Sequence, residues 1–180
     1  MSAAEPVISF TPVTAADLEL LRGWLSAPHV TQWWGDPDTE LGYIVDMIEG
    51  RDTTLPYVIH VDERPAGYIQ AWFIKHHQCE PWLSREPWLA ALPAEAVGID
   101  LAIGDTDQLS RGIGSRALRL MAERLSAEGH ETIIIDPDPD NRRAVAAYAR
   151  AGFRPMPALI GKSGGSLIMK FEPNHSRETA

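Results

Sequence analysis

The alternation of apolar and polar positions changes period along the chain, and each change predicts an element. Val7 to Phe10 reads as a short strand. Thr14 with Asp17 resembles a capping box opening a helix whose Leu18, Leu21 and Leu25 share one face. Breakers bound the stretch from Pro28 to Gly35, which reads as a short helix or loop, and a second helix is expected over Thr39 to Ile48. Leu55 to Val61 and Ala66 to Ile74 are strand-like runs separated by Asp62-Glu63-Arg64-Pro65, so an antiparallel hairpin is expected.

From Lys75 to Glu95 no clean period emerges, and three prolines with Trp82 and Trp88 suit a long functional loop or insert. Beyond Ala96 the pattern sharpens into a strand through Ile103, a helix from about Gly112 to Glu128, a strand at Thr132 to Ile135 and a helix from Arg142 to Ala151. Asn141 suits the N-cap of that last helix and Gly152 its C-terminal stop. A final strand over Ser166 to Phe171 follows Gly164-Gly165, and a frayed polar tail is expected after Pro173.

At 180 residues, 44% hydrophobic and 23% charged, the chain suits one self-folding domain spanning residues 1–180. Its net charge of -9 disfavours nucleic acid and permits a small cationic substrate. Cys79 is the only cysteine, so no internal disulfide is expected. Neither a leader pattern at Met1 to Val7 nor a membrane-length apolar run occurs, and the cytoplasm is the simplest address. Sequence leaves monomer and dimer equally open.

The chemistry concentrates between Gly98 and Phe153. Gln108, Ser110, Arg111, Gly112, Gly114 and Ser115 lie between a strand and a helix, where glycines admit a ligand close to the backbone and free helix N–H groups point at it. Arg111 adds a positive charge, which favours a pyrophosphate over a carboxylate. Gly112, Gly114 and Ala117 also match a dinucleotide fingerprint with Asp136 downstream. Dinucleotide glycines, however, belong directly after the strand, and here eight residues intervene; only 44 residues follow Asp136, too few for the rest of a doubly wound sheet. Asn141 and Tyr148, seven residues apart, share one helix face after about two turns.

Together with Ala151-Gly152-Phe153, these residues resemble the acetyl-CoA core of the GNAT superfamily, departing from it in Leu109, where Gln or Arg often stands. Four segments bring the likeness nearer to aminoglycoside 6'-N-acetyltransferases: His29 to Gly35, Pro56-Tyr57 with Gly67-Tyr68, Gly98-Ile99-Asp100, and Asp136 to Asn141. The resemblance implies an α/β fold of GNAT type, with a mixed, mostly antiparallel central sheet flanked by helices, and acetyl-CoA as co-substrate. It further implies that Leu101 to Ile103 lend backbone hydrogen bonds to the pantetheine arm, that Asn141 steadies it, and that Tyr148 stands near the thioester sulfur.

Asp100 is the only charge among the small residues Gly98, Ala102 and Gly104 on one face of its strand. Burying it unpartnered costs several kcal/mol, so it meets a cation or lines a solvated cleft. A structural salt bridge is one reading; the resemblance favours an amine site, with Asp136 as a second carboxylate. An amine must shed a proton before attacking a thioester, so Asp100 is a candidate base or amine-positioning group, and Tyr148 a candidate acid for the departing thiolate. Trp34 and one insert tryptophan are candidate cleft walls.

Asp136, Asp138 and Asp140 lack the glycine and terminal Glu of a calcium loop, and His76, His77 and Cys79 lack a fourth zinc ligand, so no metal is expected. The expected activity is direct acetyl transfer to a primary amine of an aminoglycoside-like cation. A siderophore hydroxylamine or other metabolite amine as acceptor, or a non-catalytic acyl-CoA-binding module, are the alternatives.

Overall fold

A computed structural model describes residues 5–172, so the tail after Pro173 lies outside the described residues. The elements run in order β1 (Ile8–Pro12), α1 (Leu18–Leu25), α2 (Pro28–Trp34), α3 (Pro37–Ile48), β2 (Leu55–Val61), β3 (Arg64–Phe73), α4 (Trp82–Arg85), β4 (Val97–Ile103), α5 (Ile113–Ala127), β5 (Ile133–Ile135), α6 (Arg142–Ala151), β6 (Phe153–Pro155) and β7 (Met169–Phe171). The strands form one mixed sheet in the order β1-β2-β3-β4-β5-β7-β6. β1 with β2, β2 with β3, β5 with β7 and β6 with β7 pair antiparallel, whereas β4 and β5 run parallel through Val97↔Ile133 and Gly98↔Ile134. Among the described residues no helix is long and apolar enough to cross a membrane.

The chain divides into two compact units. The first comprises the chain up to Trp72 together with Ile99–Ala117. Its core gathers Leu21, Trp24 and Leu25 of α1, Val30 of α2, Leu41 and Ile44 of α3, Val58, Tyr68 and Ala102, with Trp34 and Met47 packed against it. The Asp17 carboxylate accepts from the Thr14 N–H (2.8 Å) and hydroxyl (2.9 Å), and this stop holds the entry to α1. Pro28 opens α2, which ends at Gly35 (φ 100°), so the short helix-or-loop stretch resolves as helix. In the β2–β3 hairpin, Asp62 and Glu63 both have positive φ (48° and 67°), giving a two-residue turn whose twist matches the strands, tighter than the four-residue turn expected.

Two glycines let the backbone of this unit close up. A Cβ on Gly67 would lie 2.5 Å from the Ala102 carbonyl oxygen, and one on Gly104 would lie 2.2 Å from the Trp24 indole. The Gly104 N–H donates to Ala66 O at 2.9 Å, carrying the β3–β4 ladder one residue past β4. That indole explains why residue 104, directly after β4, carries no side chain.

The second unit comprises Phe73–Gly98 and the chain from Leu118 onward. Leu118, Met121, Ala122 and Leu125 of α5 are buried, as are Ile133–Ile135, Phe153, Met169 and Phe171, with the Phe153 and Phe171 rings 5.3 Å apart. The unpatterned stretch after Lys75 is not a plain loop: it holds α4 and two 3-10 turns, Ile74–His76 and Pro87–Ala91, pinned where the Gln78 amide donates to Leu89 O (2.9 Å) and Leu92 O (2.8 Å). The last strand is shorter than expected, because the Ser163 hydroxyl donates to Ser166 O at 2.6 Å and holds residues 163–166 in a turn.

Candidate functional site

Around Asp100 the first unit assembles a polar chain, buried at Tyr68 and half-buried at Gln70 and Asp100. Tyr68 and Gln70 lie two residues apart on β3 and share a face. Gln70 Nε2 donates to Asp100 Oδ2 at 2.8 Å, and the Tyr68 hydroxyl donates to Gln70 Oε1 at 2.6 Å. Tyr68 is 1% exposed, and burial, followed by the charges of Asp100, Glu40 and Asp52, pushes its phenol well above the ordinary value and keeps it protonated. Trp34 stands edge-on to the Tyr68 ring, with centroids 5.8 Å apart at 71°. The unit thus brings Trp34 and Asp100 together through Tyr68 and Gln70.

Glu40, in the first turn of α3, belongs to the same neighbourhood. Partial burial, then the negative charges of Asp100 and Asp36, raise its carboxyl from 4.5 to about 7. Asp36 is the N-cap of α3; accepting from the Thr39 hydroxyl (2.7 Å) and N–H (2.9 Å) lowers its own carboxyl below the ordinary value. The field here is strongly negative and holds no cation in contact with Glu40 among the described residues, an arrangement that a bound ammonium relieves.

The loop before α5 has the conformation that close ligand approach needs. Gln108 ends a 3-10 turn, Ser110 and Gly112 have positive φ (62° and 78°), and Arg111 is exposed. A Cβ on Gly112 meets nothing within 4 Å, so its glycine answers to backbone conformation. Gly114 has no such backbone demand; a Cβ there would make ordinary contacts of 3.6 to 3.8 Å with Leu101 and Ile103 side chains. The fold's own packing therefore tolerates a side chain at Gly114. The Ser115 hydroxyl donates to Gly112 O at 3.0 Å and steadies the turn. Backbone, glycine and arginine at this loop fit a pyrophosphate, the group expected from the sequence.

Of the backbone groups expected to meet a pantetheine arm, the Ile103 carbonyl already accepts from His29 Nε2 at 2.9 Å. A further donor meets that oxygen's second lone pair. Because a carbonyl only accepts, Nε2 carries the hydrogen, and the buried Nδ1 has no partner among the described residues.

The second unit carries Asp136, Asn141 and Tyr148. Asp136 follows β5 directly and is half-buried, as is Tyr148 on α6. Asn141 caps α6, its Oδ1 accepting from the Ala144 N–H at 3.1 Å, and Gly152 ends the helix in the left-handed region (φ 105°). Asp138 accepts from the Asp140 N–H at 2.8 Å and so shapes the turn before the helix. Trp88 is buried with its Nε1–H donated to Glu86 at 2.5 Å, whereas Trp82 is 40% exposed and lies edge-on to His77 at 4.9 Å. Of the insert tryptophans, Trp82 keeps a surface to offer.

Sequence reasoning missed Gln70 and Glu40. Both carried a signal. Gln70 is the one side chain without an apolar body between Ala66 and Ile74 apart from glycine, and Glu40 stands at helical spacing from Ile44 and Met47, a charge on an otherwise apolar stripe.

Comparison with known proteins bears on the chain as a whole. The Acetyltransferase (GNAT) domain family matches residues 13–159. The aminoglycoside N(6')-acetyltransferase type 1 of Klebsiella pneumoniae is 27% identical over 165 residues, covering 87% of this chain and 79% of that protein. A kanamycin resistance protein of Rhizobium radiobacter is 33% identical over 73 residues, which is 40% of this chain and 68% of the relative. Among solved structures, AAC(6')-Ib with coenzyme A and kanamycin superposes with a TM-score of 0.73 at 25% identity, covering 93% of this chain and 95% of that one. AAC(6')-Ib with paromomycin and acetyl-CoA gives a TM-score of 0.76 at 24% identity over 96% and 99% of the two chains, a likeness of fold. With most of its length matched and the glycine loop in place, the chain belongs to the GNAT acetyltransferase family.

Proposed function

We propose that this protein transfers the acetyl group of acetyl-CoA directly to a primary amine of an aminoglycoside-like polycation. The observation that carries the reading is Asp100, half-buried and held at Oδ2 by the Gln70 amide (2.8 Å), in one unit with Glu40, whose carboxyl is raised by burial and then by repulsion from Asp100. Two ammonium groups on one ligand relieve that repulsion better than one does. The relatives named for aminoglycoside acetylation and kanamycin resistance support the same substrate class.

The chemistry needs no acyl-enzyme. The amine nitrogen forms a C–N bond to the thioester carbonyl carbon, the C–S bond breaks, and the thiolate takes a proton. Asp100 orients the ammonium and accepts its proton directly or through water; Tyr148, whose phenol matches a thiol in basicity to within about two units, returns one to sulfur. Gln108, Ser110, Arg111, Gly112, Gly114 and Ser115 hold the pyrophosphate, Leu101, Ile103 and Asn141 the pantetheine arm, and Trp34 and Asp136 the acceptor.

Thiol release from acetyl-CoA in the presence of kanamycin tests the reading. Asp100→Asn should leave the KM for acetyl-CoA within about twofold and lower kcat by about 10²-fold or more, the range of a lost proton-transfer group. Unchanged turnover in that variant removes Asp100 from the mechanism.

A further inference from the structure

The hydrogen-bonded chain on β3 has a direction that its chemistry dictates. An ionised carboxylate accepts and never donates, so the Gln70 group 2.8 Å from Asp100 Oδ2 is the NH₂ end of the amide. The carbonyl end then faces Tyr68, whose hydroxyl must donate across 2.6 Å. Tyr68 is buried to 1% exposure and braced by the edge of Trp34, so this end of the chain is rigid. Its hydroxyl also lies 3.7 Å from Met47 Sδ, a weak acceptor that does not compete with the amide oxygen. Flipping the amide would set two acceptors against each other at Asp100, so only the arrangement in which the Tyr68 hydroxyl donates satisfies all three groups.

We propose that Gln70 is a positioning residue for acetyl transfer: its amide, locked by the buried Tyr68 hydroxyl, holds the Asp100 carboxylate ionised and in one orientation for the acceptor amine. The proposal rests on the reading of Asp100 given above and extends it to two residues that never touch the reacting atoms. The need for such a device is visible in the surroundings. Among the charges near this chain is the carboxyl of Glu40 on α3, which lies in the field of Asp100, and a like charge there opposes ionisation of Asp100. A donor fixed on Oδ2 works against that field.

Gln70→Met keeps the length and bulk of the side chain and removes the donor. Tyr68→Phe removes the lock and leaves the amide able to turn. The midpoint of Asp100, followed by carbon NMR of its labelled carboxyl in the full-length protein without ligands, should rise by about one pH unit in Gln70→Met, the tenfold change in ionisation expected on losing a hydrogen bond to a charged group. With acetyl-CoA and kanamycin, kcat should fall about tenfold with the KM for acetyl-CoA within about twofold, and the acid limb of the rate profile should move up with the midpoint. Tyr68→Phe should shift both in the same direction by less. Gln70→Glu donates only when protonated, so its activity relative to the parent should recover as pH is lowered.

An unmoved Asp100 midpoint in both Gln70→Met and Tyr68→Phe overturns the proposal, as does a fall in kcat with an unmoved acid limb, which marks a packing effect. If Gln70→Met does not give a cooperative melt, Tyr68→Phe, which only removes an oxygen, decides by the same readouts. A moved midpoint in a protein that leaves kanamycin unacetylated overturns the substrate reading alone and keeps the chain.

Discussion

Glu40 on α3 lies in the field of Asp100 on β4, and burial, followed by that negative charge, raises the Glu40 carboxyl to about 7. In the unfolded chain the same group ionises near its ordinary value of 4.5. A raised folded value means that its contribution to stability is complete below pH 4.5 and is lost as pH rises through about 7. Glu40→Gln cannot ionise, so the melting temperature of the parent should fall relative to the variant across that window. Thermal melts of both proteins from pH 4.5 to 8 check this; a difference that stays constant with pH contradicts it.

The same linkage bears on substrate. A polycation that engages Glu40 binds its ionised form, so binding kanamycin near pH 6.5 should expel a proton into the buffer. Calorimetry in two buffers of different ionisation enthalpy measures that proton, and Glu40→Gln should reduce the release. Equal proton release in parent and variant places the second ammonium elsewhere.

Trp24 and Gly104 set a steric limit on the strand that carries Asp100. Gly104→Ala drives a Cβ into the indole and should cost about 1–3 kcal/mol or more, as overpacking of a tight core does. Gly23→Ala, on α1 with nothing within 4 Å of the added carbon, should instead stabilise by about 0.5–1 kcal/mol. Denaturant melts of the two variants should therefore move in opposite directions.

The loop glycines should separate conformation from ligand contact. Gly112→Ala forces a side chain to φ 78° and should lose about 1 kcal/mol of stability even without ligand. Gly114→Ala adds a carbon that makes only ordinary contacts with Leu101 and Ile103 and should melt within about 0.5 kcal/mol of the parent, while its KM for acetyl-CoA rises severalfold. Equal KM values for parent and Gly114→Ala contradict close approach of the phosphates there.

Much of this was legible in the sequence because it is local. Asn141 and Gly152 bracket α6 by mechanisms that need only neighbouring residues, and the expected helix matches Arg142–Ala151. The loop from Gln108 to Ser115 declared itself through glycines whose conformations the fold requires at Gly112 and leaves unexplained at Gly114. What escaped was either short or non-local. β6 is three residues, too brief for a period to register, and α4 is a single turn, whereas the strand expected over Ser166 to Phe171 is present as β7 in its last three residues. The chain from Tyr68 through Gln70 to Asp100 joins residues 30 positions apart, and only the pairing of neighbouring strands brings them into register. Asp100 could be picked out as a charge among small residues, and Gln70 as a polar side chain in an apolar strand, but nothing local joined the two.

Mass analysis of kanamycin after incubation with the protein and acetyl-CoA tests the central claim most directly. Addition of a single acetyl group on nitrogen, with one equivalent of thiol released and loss of both signals in Asp100→Asn, is the predicted result. Thiol release with no acetylated kanamycin, or equal acetylation by Asp100→Asn, would contradict it.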